Sequence, residues 1–381
     1  MSNRPSLKIG VEEEYQIINP ETRGLEYVIT RSSKGEEPVL RGHDSEAPLN
    51  ETLASLTRSL ASPVLGNISA VRDALLEQRI VVCRTAQDLG LAVAAAGAHP
   101  FASWRQAGVP MPGRFVGLSD ELRGVAERLL VFGMHVHIGI EDRDFAIDCM
   151  NIVRYVLPHI LTLSTSSPFW MGRDTGLQSY RCVVQENLPR SGIPQRFDSY
   201  AEFQHYVDVL TRTNCIRSVT DIWWDVRPHP VYPSLEIRIL DMTPRVEDAV
   251  AIIAVVQAVV AWLYDLRSKN VSFRLYQTSL IEENKWRAER YGLNGKMIDF
   301  GKEEQLPARF LVRELLRLID PYVDELGSRR EINHIYTIVE HGTSADRQRV
   351  AYREHGGDSN REEALRAVVD HLIQETMICV E

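Results

Sequence analysis

The stretch from Lys8 to Ile18 reads KIGVEEEYQII, and three consecutive glutamates stand inside a run that is otherwise apolar. Successive side chains on a strand point to opposite faces. One face carries Ile9, Val11, Glu13, Tyr15 and Ile17, and the other carries Lys8, Gly10, Glu12, Glu14 and Gln16. Glu12 and Glu14 therefore share a polar face, and Glu13 interrupts an apolar one. Two carboxylates at that spacing repel unless something positive lies between them. A divalent cation satisfies that need, and so do ordinary salt bridges on a solvated strand.

The same test applied to other strand-like segments repeats the segregation. In MHVHIGI, Met134, Val136, Ile138 and Ile140 oppose His135, His137 and Gly139. In SLEIRIL, Leu235, Ile237 and Ile239 oppose Glu236 and Arg238. In IWWDVRP, Ile222, Trp224 and Val226 oppose Trp223, Asp225 and Arg227. A lone H-x-H strand is more often structural than a ligand pair, and a lone E-x-R is usually a cross-strand ion pair. Four strands with one apolar face and one face of acids, histidines and arginines predict a single sheet with a greasy side and a wet side. Carboxylates and imidazoles without cysteine suit a hard cation, Mg²⁺ or Mn²⁺. Arginines beside such a metal point to phosphoryl chemistry, because a guanidinium stabilises charge that develops on phosphate oxygens.

Around these strands the chain reads as a mixture. ETRGLEYVIT predicts a turn and second strand. Leu49, Leu53, Leu56 and Leu60 mark a helix face that Pro63 ends, a long helix follows over 64–89, and LAVAAAG is a buried strand. HPFASWRQAGVPMPGRFVGLSD is a Pro- and Gly-rich loop long enough to be functional. A helix at 119–130 and another at 142–166, with Pro158 expected to kink it, flank the His strand. IWWDVRPHPVYPSLEIRIL predicts two strands around a turn, and everything beyond Pro244 reads as helix. Without a regular βαβ rhythm this pattern is α+β, with a largely antiparallel sheet covered by helices on one face and a helical C-terminal part. No composition shift marks a linker, so residues 1–381 are expected to form one domain.

Composition narrows the function. A formal charge of −9 disfavours nucleic acid and anionic membranes as partners. Five scattered cysteines without a C-x-x-C suit a reducing cytoplasm. The run AVAIIAVVQAVVAWLY, bounded by Asp248 and Asp265, is short for a membrane span and predicts a buried helix. No H-E-x-x-H zinc motif and no P-loop occur, and no Ser/His/Asp or Cys/His arrangement stands out.

GVEEEY, HPF, FGMHVHIGI, SYR, IWWDVRPHP, LEIRILD and NKWRAERYGLNG occur in this order. Together they make the chain resemble the type 2 glutamate–cysteine ligase family, in its YbdK-type carboxylate–amine ligase branch. The resemblance runs from about Lys8 to about Gly295 and implies a glutamine synthetase-like fold, a sheet funnel with ATP and metal ions at its mouth. It implies that Glu12 and Glu14 hold different metal ions. His135 and Glu236 join Glu12, while Asp44 and Glu51 of HDSEAPLNE join Glu14. It also implies that Arg238 contacts the transferred phosphate, that His137 lies near the nucleotide phosphates, and that Arg181 clamps a substrate carboxylate. Glu13 stands where relatives often carry an apolar residue, and Asp225, Arg227, Asn284 and Arg287 receive no role. The implied activity is ATP-dependent amide formation between glutamate and cysteine or another small amine, in a cytoplasmic homodimer. A metal-dependent hydrolase and a catalytically inactive nucleotide-binding protein are the alternatives.

Overall fold

The computed structural model describes residues 4–30, 39–42, 64–103 and 122–378. A seven-stranded sheet organises it: β1 (Ile9–Ile18), β2 (Leu25–Thr30), β3 (Val39–Gly42), β4 (Ala92–Ala94), β5 (Met134–Gly139), β6 (Val226–Pro228) and β7 (Ser234–Ile237). The order is β6-β7-β5-β1-β2-β3, with β4 also on β1, and every pairing in it is antiparallel. The expected second strand, the LAVAAAG strand and the pair around the Pro-rich turn are all present. Alternation in β1 holds as far as Glu14: Ile9, Val11 and Glu13 are buried, and Gly10, Glu12 and Glu14 are partly open.

Helices follow as α1 (Ile68–Asp88), α2 (Arg143–Ser164), α3 (Tyr180–Gln185), α4 (Tyr200–Arg212), α5 (Val246–Ser268), α6 (Thr278–Tyr291), α7 (Ala308–Val323), α8 (Arg329–His341), α9 (Ser344–Glu354) and α10 (Arg361–Met377). Caps fix where the long ones begin. The Asn67 side chain accepts from the Ala70 amide at the start of α1, and Asp142 accepts from Phe145 at the start of α2. Helix α5 is apolar all round and lies among α1, α2, α7 and α8, in contact with β5. It is long and apolar enough to cross a membrane, yet 83% of its most apolar window is buried inside the protein.

Three expectations need revision or fall outside what is described. The segment expected as a helix over 119–130 contains a 3-10 helix, Arg123–Arg128. A β-hairpin, Lys296–Asp299 with Glu304–Pro307, interrupts the helical C-terminal part. Its strands are too short and too polar for alternation to reveal. The helix read over Leu49–Leu60 lies outside the described residues.

Glu13 finds its reason in the core. It is 0% exposed and meets Arg79 of α1, also 0% exposed. Arg79 Nε donates to Glu13 Oε2 at 3.2 Å, its Nη2 pairs with Oε1, and the Tyr15 hydroxyl also donates to this carboxylate. The remaining donors of Arg79 go to the carbonyls of Thr243 and Pro244, just before α5. One buried ion pair thus joins β1, α1 and the start of α5.

Candidate active site

The register of four strands assembles the wet face. Glu12 of β1 is opposite His135 of β5, and Gly10 is opposite His137. His137 is in turn opposite Glu236 of β7, and Glu236 is opposite Arg227 of β6. Arg238, just past β7, keeps the same face and donates its backbone N–H to Asp225 O at 2.8 Å. Residues spread over more than two hundred positions become neighbours because every second residue of a strand shares a face and antiparallel pairing sets those faces side by side.

Distances within the cluster are short. His135 Nδ1 lies 3.2 Å from Glu12 Oε2, and His137 Nε2 lies 3.4 Å from Glu12 Oε1. Arg227 Nε donates to Glu236 Oε2 at 2.7 Å, and Arg238 Nη1 pairs with Glu236 Oε1. Arg238 Nη1 is also 3.5 Å from His135 Nδ1. His135, His137, Arg227 and Glu236 are buried, while the Glu12 and Arg238 side chains each keep 15% exposure, so the cluster opens on their side.

Charge sets the protonation states. Burial alone would raise the Glu12 pKa, but hydrogen bonds from His135 and His137 outweigh it and hold the carboxyl well below the usual range. Burial likewise opposes ionisation of Glu236, and the charges of Arg227 and Arg238 overcome it. Burial, followed by the charge of Arg238, pushes His135 down. For His137 the hydrogen bond and charge of Glu12 exceed the burial penalty and raise it. The site thus presents ionised carboxylates and a neutral His135 imidazole, the forms that bind a metal.

Glu12, His135 and Glu236 each offer one ligand atom, all within 4.8 Å of one another, and His137, His229 and Glu236 form a second such group. Two carboxylates and one imidazole on a partly open wall fit a hard divalent cation. Glu14 lies farther along, its Oε2 accepting from the Gly133 amide at 2.5 Å. Asp44 and Glu51, expected as its partners, lie outside the described residues.

Arg181 requires a correction. It was expected to clamp a substrate carboxylate, but it is 0% exposed. Its Nη1 and Nη2 donate to the carbonyls of Ile239 and Arg238 at 3.1 and 3.0 Å. A guanidinium enclosed by backbone has no open fork to offer a ligand.

Motif residues left without a role have places as well. Arg227 adds hydrogen bonds to the carbonyls of Val219, Thr220 and Ile222, so it anchors Glu236 to the preceding loop. Asn284 of α6 exchanges hydrogen bonds with Ile298, pinning the hairpin. Arg287 pairs with Glu283 one turn earlier. Its neighbour Lys285, 3% exposed at the side chain, bridges Asp225 and Glu186 at 2.7 Å each. His229 stacks edge-on to His137, ring centroids 5.3 Å apart, and its Nδ1 accepts from the Val231 and Tyr232 amides. The RPHP turn contains His229 in plain view, but nothing in strand alternation extends to a turn.

Comparison with known proteins shows which ones the chain is similar to. The profile of glutamate–cysteine ligase family 2 (GCS2) matches residues 8–371. A protein of Solibacter usitatus named "Putative glutamate--cysteine ligase 2" is 46% identical over 375 residues, covering 98% of this chain and 94% of its own. Proteins with the same name from Herpetosiphon aurantiacus and Chloroflexus aurantiacus are 45% and 44% identical, each over 97% of this chain and over 93% and 92% of their own. Among solved structures, a glutamate–cysteine ligase from Francisella tularensis in complex with AMP superposes with a TM-score of 0.59 at 13% identity, over 99% of this chain and 94% of its own. A bifunctional glutathione synthetase from Pasteurella multocida gives the same TM-score and identity over 97% of this chain, which spans about half (52%) of that longer chain. At that identity the two structures show a shared fold.

Proposed function

The chain belongs to glutamate–cysteine ligase family 2, and on that footing we propose that it is an ATP-dependent carboxylate–amine ligase that forms an amide through an acyl phosphate. The observation that carries this reading is the convergence of Glu12, His135 and Glu236 with Arg238 on one open wall of the sheet. It belongs with a glutamine synthetase-like funnel, a single ligase domain over residues 1–381, and a homodimer working in the cytoplasm. Glutamate is the proposed carboxylate, and cysteine or another small amine its partner.

Glu12, His135 and Glu236 would hold one Mg²⁺ or Mn²⁺, and Glu14 with Asp44 and Glu51 another. Ions held there would supply positive charge to offset that of the ATP phosphates. Arg238 directs its guanidinium at the transferred phosphoryl group, and His137 stands beside the nucleotide phosphates. A substrate carboxylate oxygen forms the new bond to the γ-phosphorus as the bond to ADP breaks. The amine nitrogen then attacks the acyl carbon, phosphate departs with the C–O electron pair, and the nitrogen gives up a proton. The protein contributes position and electrostatics and needs no nucleophile of its own.

ADP release measured with ATP, Mg²⁺ or Mn²⁺, glutamate and a panel of amines tests this. Release that requires both glutamate and an amine supports a ligase. Turnover of substrate without nucleotide would instead indicate a hydrolase, and bound but unconsumed ATP an inactive nucleotide binder.

A further inference from the structure

Arg181 is one side chain placed against two parts of the proposed centre, the backbone that carries Arg238 and the Gly133 amide that holds Glu14. On one side it holds the backbone of Arg238 and Ile239 through two hydrogen bonds. On the other it backs Gly133, whose amide donates to Glu14. The fit is close: a Cβ added at Gly133 would collide with Arg181 Nη2 and lie 2.8 Å from its Cζ. Only glycine allows the guanidinium this approach.

The brace is itself supported. The Ser167 hydroxyl oxygen accepts from the Arg181 amide at 3.0 Å, while the same hydroxyl donates to Asp241 Oδ2 at 2.7 Å. The Ser179 hydroxyl donates to Asp241 Oδ1 at 2.8 Å, and the Ser166 amide donates to Oδ2 at 2.9 Å. Arg181 Nη1 stands 3.9 Å from Asp241 Oδ1, and Asp241 bridges to Gly133 at the start of β5. Loss of the guanidinium would take a donor from the Arg238 carbonyl, leave the Ile239 carbonyl with only the weak Cys182 Sγ donor at 3.6 Å, and open space behind Gly133.

We propose that Arg181 is a positioning residue that sets the spacing between the phosphate-directed Arg238 and the metal-directed Glu14 from beneath the site. This inference rests on the ligase reading for the roles of Arg238 and Glu14, but its geometry is independent of which amine is used. It replaces direct contact with substrate: Arg181 acts through the backbone on either side of it.

Arg181→Lys and Gly133→Ala test the idea from two directions. The first keeps the charge and loses the planar double donor, and the second keeps the guanidinium and pushes it away. The readouts are kcat and KM for ATP and for glutamate, melting temperature, and the rise in melting temperature caused by Mn²⁺ with AMP-PNP. A buried change remote from the site, Ile335→Val, controls for destabilisation alone. The expected result is a fall in kcat of about a hundredfold in both variants, the effect of a misplacement near 1 Å. KM for glutamate stays near wild type, and the Mn²⁺·AMP-PNP shift shrinks. Lower melting temperatures with kcat and the Mn²⁺·AMP-PNP shift unchanged, as expected of Ile335→Val, would reduce Arg181 to a structural residue. A raised KM for glutamate with kcat intact would make it a substrate clamp and overturn the proposal. If the wild-type protein releases no ADP with any amine, the ligase reading fails by itself. The Mn²⁺·AMP-PNP shift then still decides on Arg181, because an undiminished shift in both variants would refute it.

Discussion

Replacing Glu13 by glutamine should weaken the fold and spare the chemistry, although its two sequence neighbours face the site. Glu13 and Arg79 are both fully buried, and the carboxylate accepts from two guanidinium nitrogens and from the Tyr15 hydroxyl. Glutamine retains one carbonyl oxygen for Arg79 Nη2. Its amide nitrogen then faces Arg79 Nε, donor against donor, and the guanidinium stays buried without a counter-charge. Breaking a buried pair on one side costs about 3–5 kcal/mol. With an unfolding entropy of about 2 cal/mol/K per residue over 381 residues, that lowers the melting temperature by about 4–6 °C. Arg79→Met should cost a similar amount, and the double variant should be no worse than either single one, since both remove the same interaction. Thermal melts with and without Mn²⁺ and AMP-PNP, beside an ADP-release assay, give both readouts. Glu13→Gln should show the full metal and nucleotide shift and wild-type turnover, whereas Glu12→Gln should lose both. A Glu13→Gln protein that melts with wild type, or additive losses in the double variant, would refute the buried-pair reasoning. Selective loss of the metal response in Glu13→Gln would overturn the assignment of strand faces.

Other outcomes are equally specific. Arg238→Lys keeps charge but loses the fork, and kcat should fall by the ~2.7–4 kcal/mol typical of a lost oxyanion donor while nucleotide binding persists; unchanged kcat would remove Arg238 from the reaction. Asp44→Asn and Glu51→Gln should each move the Mn²⁺ dependence of activity to higher concentration, and superimposable metal curves would exclude them as ligands. His99 is buried, its Nδ1 accepting from the Phe101 and Ala102 amides, and burial depresses its pKa from 6.5 to about 4. A group depressed in the folded state stabilises above its unfolded pKa and loses that contribution as pH falls toward the folded value. Between pH 7 and pH 5 this one histidine should therefore cost about 2 kcal/mol of stability. Urea unfolding at the two pH values should show a correspondingly smaller drop for His99→Asn, and an equal drop in both proteins would contradict the assignment.

Strand-borne features of this protein were legible in the sequence, and contacts that depend on distant elements were not. Alternation along GVEEEY, MHVHIGI and LEIRIL separates wet from greasy residues with no knowledge of partners, because a strand's geometry repeats every two residues. It was enough to set Glu12, His135, His137, Glu236 and Arg238 on one face and Glu13 on the other. The motif order added the family. Local pattern has no term for what packs against a face from elsewhere in the chain. That Glu13 meets Arg79 across 66 positions was decided only when α1 was laid on the sheet. The turn residue His229 and the helical Lys285 joined the neighbourhood of the site for the same reason. Arg181 marks the limit most clearly: its residue type suggested a substrate fork, but burial against Gly133 and the Arg238 and Ile239 carbonyls leaves it no exposed edge. The chemical character of a side chain is written in the sequence, whereas the direction in which its donors are spent is set by tertiary packing.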